Sequence, residues 1–181
     1  MIYQSEPSMV SRSGWGARSA TNNLVNLGSK QYIVIHHAGD ANDNIVKVYP
    51  DEKAAMKRYQ EIHMDSNGWA DIGYHYCVGI KGTILQGRND TKEGVHTPGY
   101  NYCSIAVMIH GNYDIRSLTS TQKSKLVSLL AWLCYTNNIS PSKIYGHGDL
   151  ASSSCPGSSV KSQLSSIRGL VMNKLYPQPE N

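Results

Sequence analysis

The chain has 181 residues, 40% hydrophobic and 17% charged, which bounds it to one folded domain with a buried core. Its net charge of +4 comes from scattered basic residues without a Lys/Arg block, so a nucleic-acid groove is excluded as its organising feature. No apolar run is long enough to span a membrane, and the first residues lack the charged-then-apolar pattern of a secretory leader. The expectation is a monomer that takes neither nucleic acid nor membrane as partner.

Residues 1–30 are mostly polar, with Trp15 between Gly14 and Gly16, and read as an arm with little regular structure. Residues 31–37 are apolar and β-branched up to His36-His37, the pattern of a buried strand. Residues 38–50 are rich in Gly, Asp and Asn and predict a loop. Pro50 and Asp51 signal a helix start, and Ala55, Tyr59, Ile62 and His63 follow helical spacing, which predicts a helix over 51–64. Asn67-Gly68 breaks that pattern. Residues 74–80 alternate like a strand, and Lys81-Gly82 turns them into 83–86 as a hairpin.

Residues 88–102 form a long loop, a feature that often carries function in compact domains. Residues 104–110 predict another buried strand, without a carboxylate in it. The clearest helix covers 120–136: Thr119 and Gln122 match a capping box, and Leu126, Leu129, Leu130 and Leu133 recur on one face. Residues 143–146 form a short strand leading to His147. A last helix runs from about Val160, with Leu164, Ile167, Val171 and Leu175 facing inward, and residues 176–181 read as a tail or cut linker. This alternation predicts an α/β fold, a single mixed central sheet flanked by helices, with ligand loops at one rim.

Four cysteines allow three disulfide pairings, and the spacing demands none. Cys77, Cys103 and Cys134 lie in apolar or mixed segments and read as small core residues. Cys155 lies in a Ser/Gly/Pro loop, eight positions after His147. His36 and His37 are adjacent on a strand and point to opposite faces, so at most one faces a given pocket. Two neutral imidazoles and a thiolate are good zinc ligands, and a fourth position left to water is the arrangement of a catalytic zinc. Spacing alone leaves open whether these residues are ligands or ordinary core and loop residues. It also leaves open a cysteine peptidase, with Cys155 as nucleophile and His147 or His36 as base, because Cys155 precedes a helix.

Six motifs occur in order: Ser11-Arg12-Ser13-Gly14-Trp15-Gly16-Ala17, Tyr32-Ile33-Val34-Ile35-His36-His37, Asp71-Ile72-Gly73-Tyr74-His75-Tyr76, Gly94-Val95-His96-Thr97-Pro98-Gly99-Tyr100-Asn101, Ser104-Ile105-Ala106-Val107, and Gly146-His147-Gly148-Asp149-Leu150 through Cys155-Pro156-Gly157. Together they resemble the zinc-dependent N-acetylmuramoyl-L-alanine amidases of the type-2 amidase and peptidoglycan recognition protein family, which includes phage endolysins. The resemblance spans roughly residues 11–175. It implies a hydrolase that cleaves the amide between the lactyl group of N-acetylmuramic acid and L-alanine of the peptidoglycan stem, with a zinc ion in a cleft at the sheet rim. The implied zinc ligands are His36, His147 and Cys155. Tyr74 matches the tyrosine beside the reacting centre, and His96, Thr97 and Asn101, with Tyr100, match the substrate groove. His63, His75 and His110 are read as structural.

Two residues before the cysteine, family members carry lysine or threonine, whereas this chain has Ser153, a hydrogen-bond donor without charge. Asp149 is read either as a partner that orients His147 or as a cap on its loop. The implied division is an arm over 1–30, a catalytic domain over 31–175 and a tail over 176–181. Some relatives bind peptidoglycan without cutting it and typically lose a ligand. Retention of His36, His147, Cys155 and Tyr74 points to catalysis, with the binding module as the alternative. The missing leader and the endolysin likeness predict a protein held in the cytoplasm until release onto the wall.

Overall fold

Strand β1 (Tyr32–His37) lies inside a five-stranded sheet of order β3-β2-β4-β1-β5. The others are β2 (Tyr76–Val78), β3 (Ile84–Gln86), β4 (Ser104–Ile109) and β5 (Ile144–Gly146). β1 pairs in parallel with β4 and β5, and β2 with β4, while β2 and β3 form the antiparallel hairpin. The sheet is mixed, as the alternation of elements predicts. The computed structural model describes residues 1–179, so Glu180 and Asn181 of the expected tail lie outside the described residues.

The period-2 alternation of β1 and β4 sorts their side chains onto two faces. Ile33, Ile35, Ile105, Val107 and Ile109 face α3 (Ser120–Asn137) and α6 (Leu164–Leu175), where Leu126, Leu130, Leu133, Ile167 and Val171 complete a large apolar core. The opposite face carries a smaller core: Met108, Cys77 and Leu85 meet Met56 and Tyr59 of α2 (Glu52–Glu61), with Trp15 and Ile72. Thr119 caps α3 through the reciprocal bonds expected of it, its hydroxyl accepting from Gln122 N at 3.1 Å.

Several boundaries differ from expectation. The loop over 38–50 contains a short helix, α1 (Asn44–Val48). The helix over 51–64 ends at Glu61 and passes into a wider turn over Ile62–Ser66. The last helix is divided into α5 (Ser158–Lys161) and α6. At that break Ser162 Oγ and Gln163 Nε2 both donate to Ser159 O, so local side-chain bonds compete with the helical ladder. The remaining helix, α4 (His147–Leu150), is one turn directly after β5. All four cysteines are free.

The N-terminal arm is mostly irregular and exposed but is anchored at several points. Val10 bonds to Ile84 and Gln86 across an isolated bridge, and Trp15 is buried with its indole N–H donating to Gln86 O at 2.7 Å. Arg12 pairs with the buried Asp71 at 2.9 Å. These contacts position the hairpin and the chain entering Tyr74. Among the described residues no helix is long and apolar enough to cross a membrane.

Candidate metal centre

The carboxyl ends of β1 and β5 bring three donors together. His36 is the fifth residue of β1 and faces the α2 side; His147 follows β5 directly; Cys155 returns on the loop after α4. Ligand atoms of His36, His147 and Cys155 all lie within 4.8 Å of one another. The two imidazole rings are 4.8 Å apart between centroids, and His36 Nδ1 is 3.5 Å from Cys155 Sγ.

The loop is folded by backbone contacts. Gly148 N donates to Cys155 O at 2.8 Å, drawing the thiol back towards the imidazole. A Cβ at Gly148 would lie 2.5 Å from Ser153 O, so this approach needs glycine. Gly157 has φ +88°, and a Cβ there would meet Tyr113 C at 2.5 Å and His37 Nδ1 at 2.8 Å. Asp149 accepts from Gly146 N at 2.8 Å and lies 3.7 Å from Arg168, so of its two readings the structure takes the loop cap.

Burial lowers His36 well below the ordinary histidine range, reinforced by His96 and then His147. Burial also lowers His147. Both imidazoles are therefore neutral, the form that binds metal. Burial pushes the Cys155 thiol up to about 12, partly offset by the His37 N–H donated to its sulfur at 3.4 Å. A reactive nucleophilic cysteine needs the opposite, a depressed pKa. Two neutral imidazoles and a thiol converging within one ion's reach fit a tetrahedral zinc with one position open.

His37 faces the other way. Its Nδ1 accepts from Tyr113 N at 3.0 Å, on the side of the large core. Tyr74 stands across the site, its ring 5.1 Å from that of His36. Burial raises the Tyr74 phenol, with the charge of Cys155 adding to it, so the hydroxyl keeps its proton. Ser153 Oγ accepts from Cys155 N at 3.1 Å, which commits its lone pair to the loop and leaves its O–H free to donate.

His96, Thr97 and Asn101, expected at the substrate groove, form a turn packed against His36. Thr97 is fully buried and His96 is 8% exposed, and they lie 3.4 and 3.1 Å from His36 Nε2. Asn101 Oδ1 accepts from the N–H groups of His96 and Thr97, at 3.0 and 2.9 Å, and so holds that turn. Sequence reasoning missed Ser104, a buried hydroxyl 3.4 Å from His96 Nε2. Its only signal is a serine opening an otherwise apolar strand.

The remaining histidines are structural, as read. His75 is pinned between Ala106 N and Lys92 O, and His63 Nδ1 accepts from Gly73 N. His110 is fully buried, and neither of its ring nitrogens has a partner among the described residues.

A family model described as N-acetylmuramoyl-L-alanine amidase matches residues 27–158, a stretch that contains all three converging donors. The chain belongs to the N-acetylmuramoyl-L-alanine amidase family. It is 37% identical over 162 residues to peptidoglycan-recognition protein SC2 of Drosophila simulans, covering 86% of this chain and 84% of that protein. Among solved structures, Drosophila PGRP-LB superposes with a TM-score of 0.76 at 27% identity, over 88% of this chain and 93% of that one. The endolysin amidase LysCS of Clostridium intestinale superposes at 0.72 with 26% identity, over 91% and 97%.

Membership ties this amidase-family chain to peptidoglycan as its ligand. It also overturns one expectation. Its most similar curated relatives include peptidoglycan-recognition proteins of Drosophila, human and mouse, which are animal proteins rather than phage lysins. The reading of a lysin held in the cytoplasm is therefore withdrawn.

Proposed function

We propose that this chain is a zinc-dependent amidase that cleaves the bond between N-acetylmuramic acid and L-alanine in peptidoglycan. The observation that carries this is the convergence of His36, His147 and Cys155 within 4.8 Å inside an amidase-family domain. When bound there, a zinc ion would supply an acidified water and a Lewis acid for the scissile carbonyl.

The chain's own residues then have separable tasks. His36, His147 and Cys155 hold the ion and leave one position open. The His37 N–H bonds to Cys155 Sγ and favours its thiolate form. Tyr74 keeps its proton at neutral pH and donates a hydrogen bond to the oxygen on which negative charge develops. Ser153, whose O–H stays free to donate, is the second, uncharged donor in this reading.

The test is release of L-alanine amino termini from purified peptidoglycan, with EDTA and then with added zinc. Activity that EDTA abolishes and zinc restores supports the amidase. Tight wall binding without release supports the second reading, a recognition module, which the names of the curated relatives favour. Release untouched by EDTA would return Cys155 to the role of nucleophile. Within the amidase reading, Tyr74→Phe is expected to lower kcat about 10²–10³-fold, the usual loss for one oxyanion donor, with zinc content unchanged by metal analysis.

A further inference from the structure

The geometry points to His96 as the positioning residue that sets the tautomer of His36, through a buried hydrogen-bond chain ending on the carbonyl of Tyr100. This rests on the reading of His36, His147 and Cys155 as metal ligands.

The chain has a direction, and its far end supplies it. Ser104 Oγ lies 2.6 Å from Tyr100 O, and a carbonyl can only accept, so the serine donates there. The Ser104 oxygen is then free to accept from His96 Nε2 at 3.4 Å, which places the His96 proton on Nε2. His96 Nδ1 therefore presents a lone pair, 3.1 Å from His36 Nε2. His36 then donates from Nε2, either to His96 Nδ1 directly or, where the Thr97 hydroxyl 3.0 Å from His96 Nδ1 donates to that lone pair, to Thr97 Oγ1 at 3.4 Å. Its Nδ1 is left unprotonated, and that is the nitrogen facing Cys155 Sγ at 3.5 Å.

Every member of the chain is buried: His36 1%, His96 8%, Thr97 0% and Ser104 0% exposed. Water therefore has little access to substitute for a missing partner. The neighbouring His75 has no competing bond to offer, because its nitrogens are taken by Ala106 N and Lys92 O. Asn101 fixes the turn that carries His96 by accepting from two consecutive N–H groups. The free ligand thus holds the lone pair a metal needs before the metal arrives.

The test uses the full chain. Zinc affinity is read by competition with a chromogenic chelator, and the His36 tautomer by nitrogen-15 NMR of the metal-free protein. The wild type is expected to carry its His36 proton on Nε2. His96→Phe, which removes the acceptor, is expected to mix the tautomers and weaken zinc binding about 10–100-fold. His96→Gln, which restores an acceptor and a donor, is expected to recover affinity to within a few-fold of wild type. A folded His96→Phe with wild-type affinity and an unchanged tautomer would overturn the proposal. Should His96→Phe not fold, Ser104→Ala takes its place, with a few-fold weaker affinity expected; no change in affinity or tautomer would again overturn it. A wild-type chain that takes up no zinc sinks the metal reading, and the tautomer measurement alone then decides the relay.

Discussion

Two adjacent histidines, His36 and His37, end the same strand and do unlike work. His37 belongs to the face that packs on α3 and α6, and its ring accepts one backbone N–H from Tyr113. His36 belongs to the face towards α2, where the apolar core is smaller and a cluster of imidazole, thiol and phenol groups takes its place. One face is filled by aliphatic side chains and supplies most of the buried apolar surface. The other gives up part of that burial to hold polar groups in fixed geometry. The difference teaches that one residue of register on a strand separates a structural imidazole from one placed in a cluster of potential metal donors.

The strongest way to break this comparison is to substitute each histidine in turn. His36→Ala is expected to abolish zinc binding and to reduce amidase activity by 10³-fold or more, with a cooperative melt retained. His37→Ala is expected to keep zinc stoichiometry and to cost about 1–3 kcal/mol of stability, because it leaves the buried Tyr113 N–H without its acceptor. Metal analysis and urea unfolding on both variants read the contrast. Equal loss of zinc from both would end the two-face account.

The large core is tested by Leu130→Ala, a fully buried position of α3. A loss of about 2–5 kcal/mol is expected, with zinc affinity and activity per folded molecule unchanged. A parallel loss of zinc affinity would mean that the faces are mechanically coupled.

Acid sharpens the comparison on the α2 side. Burial pushes His63 and His75 down to about 4 and His110 to about 3. The unfolded chain titrates its histidines near pH 6.5, so below that pH it binds more protons than the folded chain. Their stabilising contribution is complete above pH 6.5 and is lost as pH falls towards 4 and then 3. Urea midpoints are expected to drop steadily across that window. His110→Phe, which removes two buried nitrogens without partners, is expected to flatten the drop and to add about 1–3 kcal/mol near pH 5. An unchanged slope would show that His110 is solvated in solution. The smallest effect is expected at the α3 cap: Thr119→Ala should cost about 1 kcal/mol and leave the metal site untouched.

Much of this molecule was legible in its residues. The mixed sheet, the hairpin and the α3 capping box follow from period-2 and period-3.6 patterning with turn signals, which are local properties of the chain. The three candidate ligands were named through the motif resemblance, and the structure brings His36, His147 and Cys155 within 4.8 Å of one another. Other boundaries were not legible. The break between α5 and α6 comes from Ser162 and Gln163 bonding back to Ser159, a competition that the apolar spacing of Leu164, Ile167 and Val171 does not register.

By itself the sequence determined the fold class, through the alternation of strand and helix patterns, and the family, through six motifs in a fixed order. The tertiary structure alone decided what surrounds the residues of those motifs. His96 and Thr97 came against the buried Nε2 of His36, and Ser104 came against His96. These outcomes depend on how the loop over 88–102 packs across β1 and β4. Burial and hydrogen-bond partners are set between segments distant in the chain, and no local pattern encodes them.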